Sequence, residues 1–111
     1  MNVIKDAGAF TDPGEDSNHY IEHLSVPDLS VGTYSISAGG NADQSPHTED
    51  EIYVVTGGRA RIETLDASAE VGPGSVIFVP ANEAHRFVDV TEDLSVLVLF
   101  APAEYSRSDS G

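Results

Sequence analysis

Apolar and polar positions along this chain alternate in short bursts, and each burst ends at a glycine, proline or Asp/Asn cluster. The breaks fall at Asp12-Pro13-Gly14, Pro27-Asp28, Gly39-Gly40, Gly57-Gly58, Gly72-Pro73-Gly74 and Pro80-Ala81-Asn82. The intervening runs are rich in β-branched and aromatic residues and predict strands at 19–26, 31–38, 51–56, 59–65, 75–79, 85–90 and 94–101. No window longer than ten residues carries a helical period. The expected class is all-β, a sandwich or barrel forming one domain over residues 1–103, with a small polar tail at 104–111 that frays.

Strand alternation also assigns faces. If Glu51 points inward, so do Tyr53 and Val55, and His85 takes Phe87 inside while Arg86 faces out. Arg59 and Arg61, alternating with Ala60 and Ile62, are expected in solvent. The runs Ser75-Val76-Ile77-Phe78-Val79 and Val96-Leu97-Val98-Leu99-Phe100 are apolar on both faces. A small barrel hides only its inner face, so the outer one calls for a second layer. In so short a chain another subunit is the expected cover, giving a homodimer.

Composition narrows the function classes. There is no cysteine among the 111 residues, so disulfides, thiolate ligands and cysteine nucleophiles are excluded. Nineteen acidic residues against five basic ones give a net charge of −14, which repels phosphate backbones and disfavours nucleic acid as a partner. Abundant acid with almost no lysine resembles the composition of proteins from organisms living with molar intracellular salt. Residues 1–16 carry Lys5, Asp6, Asp12, Glu15 and Asp16 without the apolar stretch of a signal peptide, and the longest apolar run, 96–101, is far short of a membrane span. A cytoplasmic protein with no membrane partner is expected.

His47, Glu51 and His85 carry the chemistry. His47 stands just before the turn Thr48-Glu49-Asp50 and Glu51 just after it; His85 follows Pro80-Ala81-Asn82 and reaches the same end of a barrel from a facing strand. Two imidazoles and a carboxylate buried together are costly to desolvate unless a cation binds them, and such a set leaves coordination positions open for a ligand. His19 and His23, with Glu22 beside them, form a weaker second cluster that reads more simply as two surface histidines on an edge strand. No Gly-rich loop precedes a helix to cradle phosphate, and Ser45, although on one face with His47, lacks the nucleophile elbow of a Ser-His-Asp hydrolase.

The two segments resemble the paired motifs of the cupin superfamily, Gly-x5-His-x-His-x3-4-Glu-x6-Gly and Gly-x5-Pro-x-Gly-x2-His-x3-Asn. Gly39, His47, Glu51 and Gly58 match the first motif; Gly74, Pro80 and His85 match the second. Ser45 replaces the first histidine, Asn82 the glycine and Asp89 the asparagine. Asparagine tolerates the left-handed conformation that glycine supplies, so Asn82 is a mild change. Ser45 turns a four-ligand site into a two-His-one-carboxylate set, for which Glu49 and Gln44 are candidate fourth ligands.

The resemblance implies a double-stranded β-helix, or jelly-roll barrel, holding a divalent transition metal such as iron, manganese, zinc or nickel on His47, Glu51 and His85. Ser45, Val55 and Phe87 are expected in the pocket, with Tyr53 either filling space or donating a proton beside the metal. Small cupins that keep their ligands are similar to dioxygenases, isomerases, decarboxylases and lyases acting on small oxygenated molecules. The alternative is a non-catalytic barrel that binds or senses a small ligand, with or without metal.

Overall fold

The computed structural model describes residues 1–40, 42 and 46–105; Gln44 and Ser45 lie outside them. One short 3-10 turn at Gly14–Asp16 precedes six strands: β1 Asn18–Val26, β2 Leu29–Ile36, β3 Asp50–Thr64, β4 Ser68–Val71, β5 Val76–Val79 and β6 His85–Ala101. All pairings are antiparallel, in the order β1-β2-β6-β3-β4, with β5 also on β3. Among the described residues no helix is long and apolar enough to cross a membrane.

The spine is the ribbon of β3 against β6, which corrects the strands expected from sequence. Positions 51–56 and 59–64 are one strand, which stops short of Leu65, 85–90 and 94–101 are another, and β4 is an addition to the expected set. At about 3.3 Å per residue, a flat strand of 15 residues would run roughly 50 Å. The molecule's longest dimension is 37 Å, so the ribbon has to bend. It does so through register shifts between Val55 and Gly57, Gly57 and Arg59, and Arg59 and Arg61. Extra residues on one strand of an antiparallel pair sharpen its twist and curl it. Gly57-Gly58 therefore marks a bulge inside a strand and not the end of one. Gly58 has φ +84°, and a Cβ there would lie 2.1 Å from the Asp93 carbonyl oxygen.

Curling puts Tyr34, Ile36, Tyr53, Val55, Phe87, Leu94, Val96, Val98 and Phe100 into one buried core. The alternation is as expected: Glu51, Tyr53 and Val55 are buried, and so are His85 and Phe87, whereas Ile52 and Arg86 are exposed. Arg59 and Arg86 face solvent and pair with Glu92 and Glu63; Arg61, half-buried, reaches Glu70.

The outer face has two fates. The N-terminal segment crosses part of it: Gly8 N donates to Thr33 Oγ1 at 2.8 Å, Thr11 N donates to Ser35 Oγ at 3.1 Å, and Thr56 Oγ1 donates to Gly8 O. The chain thus supplies some of the second layer itself, where the sequence pattern pointed to another subunit. Beyond that segment Val76 is 68% and Phe78 61% exposed. Register places Val76 beside Val54 and Leu97, and Phe78 beside Ile52, Leu99 and Val31.

Candidate metal centre

The site is assembled by the connection between β5 and β6. Val79 pairs with Glu51, so residues 80–84 start directly beside the strand that carries the carboxylate. Asn82 N donates to His47 O at 2.6 Å and Ala81 N donates to Asp50 Oδ1 at 2.9 Å, tying the connection to the segment that carries His47. Asn82 holds φ +68°, the left-handed turn that asparagine tolerates. His85 then opens β6, inward by parity.

The structure brings His47, Glu51 and His85 together: each offers a donor atom, and these atoms lie within 4.8 Å of one another. His85 Nδ1 donates to Glu83 O at 2.8 Å, which turns Nε2 inward, 2.9 Å from the Tyr53 hydroxyl and 3.1 Å from Glu51 Oε1. His47 Nδ1 is 4.0 Å from the same carboxylate oxygen. Burial pulls the His85 pKa down, but the Glu51 carboxylate and the Glu83 carbonyl outweigh it, and the net shift is upward from 6.5.

Two of the converging atoms, His47 Nδ1 and Glu51 Oε1, are buried without a hydrogen-bond partner. A buried carboxylate oxygen with two imidazole nitrogens 3.1 and 4.0 Å away is a donor set that a cation would satisfy. The donor set suits a divalent transition metal, and the residues present fit it.

Above these groups opens a cavity of about 450 Å³. His47, Glu51 and Glu104 line it, as do Val98, Phe100 and all four tyrosines of the chain: Tyr20, Tyr34, Tyr53 and Tyr105. Among the described residues no lysine or arginine does. The Tyr20 ring crosses Gly32, where a Cβ would sit 2.1 Å from the hydroxyl, and that hydroxyl is a third buried polar atom without a partner. Burial, reinforced by Glu104, raises the Tyr20 pKa.

Several expected roles shift. Val55 and Phe87 belong to the core and not to the cavity wall; Phe87 packs edge-on against Tyr53 at a centroid distance of 5.0 Å. Glu49 is buried, but its carboxylate accepts from Thr48 Oγ1 and, at 2.7 Å, from Tyr105 N, so it anchors the segment that follows β6. His19 and His23 bond Thr11 and Thr33 separately. Glu104 and Tyr105, read from sequence as the start of a frayed tail, pack against His47: Glu104 Oε2 lies 3.1 Å from Nε2, and the Tyr105 and His47 ring centroids are 5.6 Å apart. A buried Ala103 and the bond from Glu104 N to Ser30 Oγ at 2.9 Å hold this segment. Polar character alone gave no sign of that.

The fold and site define a small β-barrel built around a candidate metal centre. A family model described as a cupin domain matches residues 32–101, and the chain belongs to that family. An uncharacterized protein of Streptomyces coelicolor is 45% identical over 85 residues, spanning 77% of this chain and 81% of that protein. Among solved structures, an uncharacterized Klebsiella pneumoniae protein with a double-stranded β-helix domain superposes with TM-score 0.79 at 14% identity, covering 92% and 91% of the two chains. The DMSP lyase DddQ from Ruegeria pomeroyi gives 0.73 at 18% identity, over 90% of this chain and 54% of that one. At such identities the structural likeness is one of fold.

Proposed function

We propose that this cupin is a metal-dependent enzyme acting on a small oxygenated molecule. The carrying observation is the convergence of His47, Glu51 and His85 with two of their buried atoms left unsatisfied. A divalent transition metal held by these three residues supplies Lewis-acid polarisation of a bound oxygen. The cavity wall sets the substrate class. Its tyrosine faces and hydroxyls suit a compact polar molecule. Tyr53 is the proton donor in this reading. Its hydroxyl lines the cavity 2.9 Å from His85 Nε2 and would donate its proton to a substrate oxygen bound there.

The test is to reconstitute the purified protein separately with iron, manganese, nickel and zinc. Loss of substrate and oxygen consumption are then followed across a panel of small hydroxy, keto and onium compounds. Turnover with at least one metal, abolished by a chelator and reduced by Tyr53→Phe, is the expected result. Metal retention without turnover makes the protein a binding barrel instead, and failure to take up any metal ends the proposal.

We also propose that the uncovered outer face pairs with a second copy of this chain. On a molecule of net charge −14, the rows holding Val76, Val54, Leu97, Phe78, Ile52, Leu99 and Val31 carry no charge, so like-charge repulsion is weakest there. Light scattering at micromolar concentration is expected to give twice the chain mass of 11.7 kDa, and Phe78→Asp to halve it. A wild-type monomer rules the pairing out.

A further inference from the structure

We infer that Glu104 is a positioning residue for the metal centre: it holds His47 by Nε2 so that Nδ1 is the nitrogen presented to the ion. The inference rests on the metal reading above and adds a residue that lies outside the cupin match at 32–101. Glu104 Oε2 is 3.1 Å from His47 Nε2, and both side chains are nearly buried, at 11% and 13% exposure. The opposite nitrogen, Nδ1, has no hydrogen-bond partner and lies 4.0 Å from Glu51 Oε1, itself unpartnered. Glu104 does not belong to the trio whose donor atoms converge. It sits behind the His47 ring as the Glu83 carbonyl sits behind His85. A neutral imidazole carries one N–H, and a carboxylate acceptor at Nε2 keeps the proton there, leaving the Nδ1 lone pair for a cation.

The geometry is held from both sides. The ring of His47 packs against Phe100 and Tyr105, at centroid distances of 4.7 and 5.6 Å. Glu104 is fixed through its own amide on Ser30, and its neighbour Tyr105 donates its amide to the buried Glu49. The C-terminal segment thus acts as the outer support of one ligand, a part the cupin motifs do not encode.

The test uses the full chain and zinc as the probe, with affinity read by competition against a chelator. Glu104→Ala is expected to weaken zinc about 10- to 100-fold, the range that loss of an outer-shell carboxylate costs. Glu104→Gln still accepts the Nε2–H bond and is expected to stay within a few-fold of wild type. In the metal-free protein, ¹⁵N shifts of the His47 ring should report the Nε2–H tautomer in wild type and Glu104→Gln, and a mixture in Glu104→Ala. The cobalt(II) absorption spectrum should be the same in wild type and Glu104→Gln. Equal zinc affinity in wild type and Glu104→Ala, with wild type binding well, overturns this inference and leaves the metal reading standing. A cobalt spectrum altered by Glu104→Gln makes Glu104 a ligand and also overturns it. A wild type that takes up no zinc, cobalt or other metal removes both. Circular dichroism of each variant separates these results from misfolding.

Discussion

His85→Ala is expected to abolish metal retention while the barrel still folds. The side chain sits at the start of β6, tied to Glu83 and touching Tyr53 and Glu51, so its removal takes away one of three donors and leaves a cavity next to the pocket. Affinity should fall by more than the roughly 100-fold that marks outer-shell losses, and metal per chain, measured by mass spectrometry, should drop from about one to near zero. The wild type should also show a pH dependence that the variant lacks. With its pKa raised above 6.5, His85 in the metal-free protein is stabilised as the imidazolium beside Glu51. That stabilisation is fully present below the unfolded value and is lost as pH rises through the folded one. A metal needs the neutral ring, so protons compete, and affinity should climb with pH until His85 has titrated. An affinity flat from pH 5 to 8, or full metal occupancy in His85→Ala, contradicts the assignment of this histidine.

Gly58→Ala should be the most damaging single methyl in the molecule. Its φ of +84° disfavours any side chain, and the added carbon would lie 2.1 Å from the Asp93 carbonyl oxygen and 2.7 Å from its carbonyl carbon, which are backbone atoms of β6. Relief requires the two long strands to separate at their bend. A cost of about 3 kcal/mol or more is expected, combining left-handed strain with the clash. For a domain of this size it corresponds to a melting temperature lower by more than about 12 °C. Gly74→Ala isolates the conformational part: φ is +93° there, but nothing lies within 4 Å of the new atom. That variant should cost only about 1–2 kcal/mol. Similar melting temperatures for the two variants would show that β3 and β6 part easily at the bulge.

The contrast between these glycines shows where sequence reading reached and where it stopped. Period-two alternation at Glu51, Tyr53 and Val55, and at His85 and Phe87, is a local property, and it put the right side chains inside. Motif spacing then brought two distant segments to one end of the barrel. Strand continuity was harder to see, because a glycine pair at a bulge looks like a glycine pair at a turn. Gly57-Gly58 and the polar stretch Thr91-Glu92-Asp93 both read as breaks, yet they lie within β3 and β6. β4 is a short strand, Ser68–Val71, with only Val71 buried, so it offers no alternation to detect. Val55 and Phe87 point inward as expected but are covered by Tyr53 and the rest of the core, and parity does not measure depth. Glu104 escaped because its role depends on where the chain goes after β6, and nothing in a small polar tail announces that. Gln44 and Ser45 fall outside the described residues, so the first-motif departure is met here only through its neighbours.

With every tyrosine on the cavity wall and no tryptophan anywhere in the chain, the protein's native ultraviolet signal comes from the site itself. Absorbance near 280 nm and the weak phenolic fluorescence therefore act as a built-in optical reporter of occupancy. Binding of an ion or a small molecule becomes observable without a label or a coupled assay.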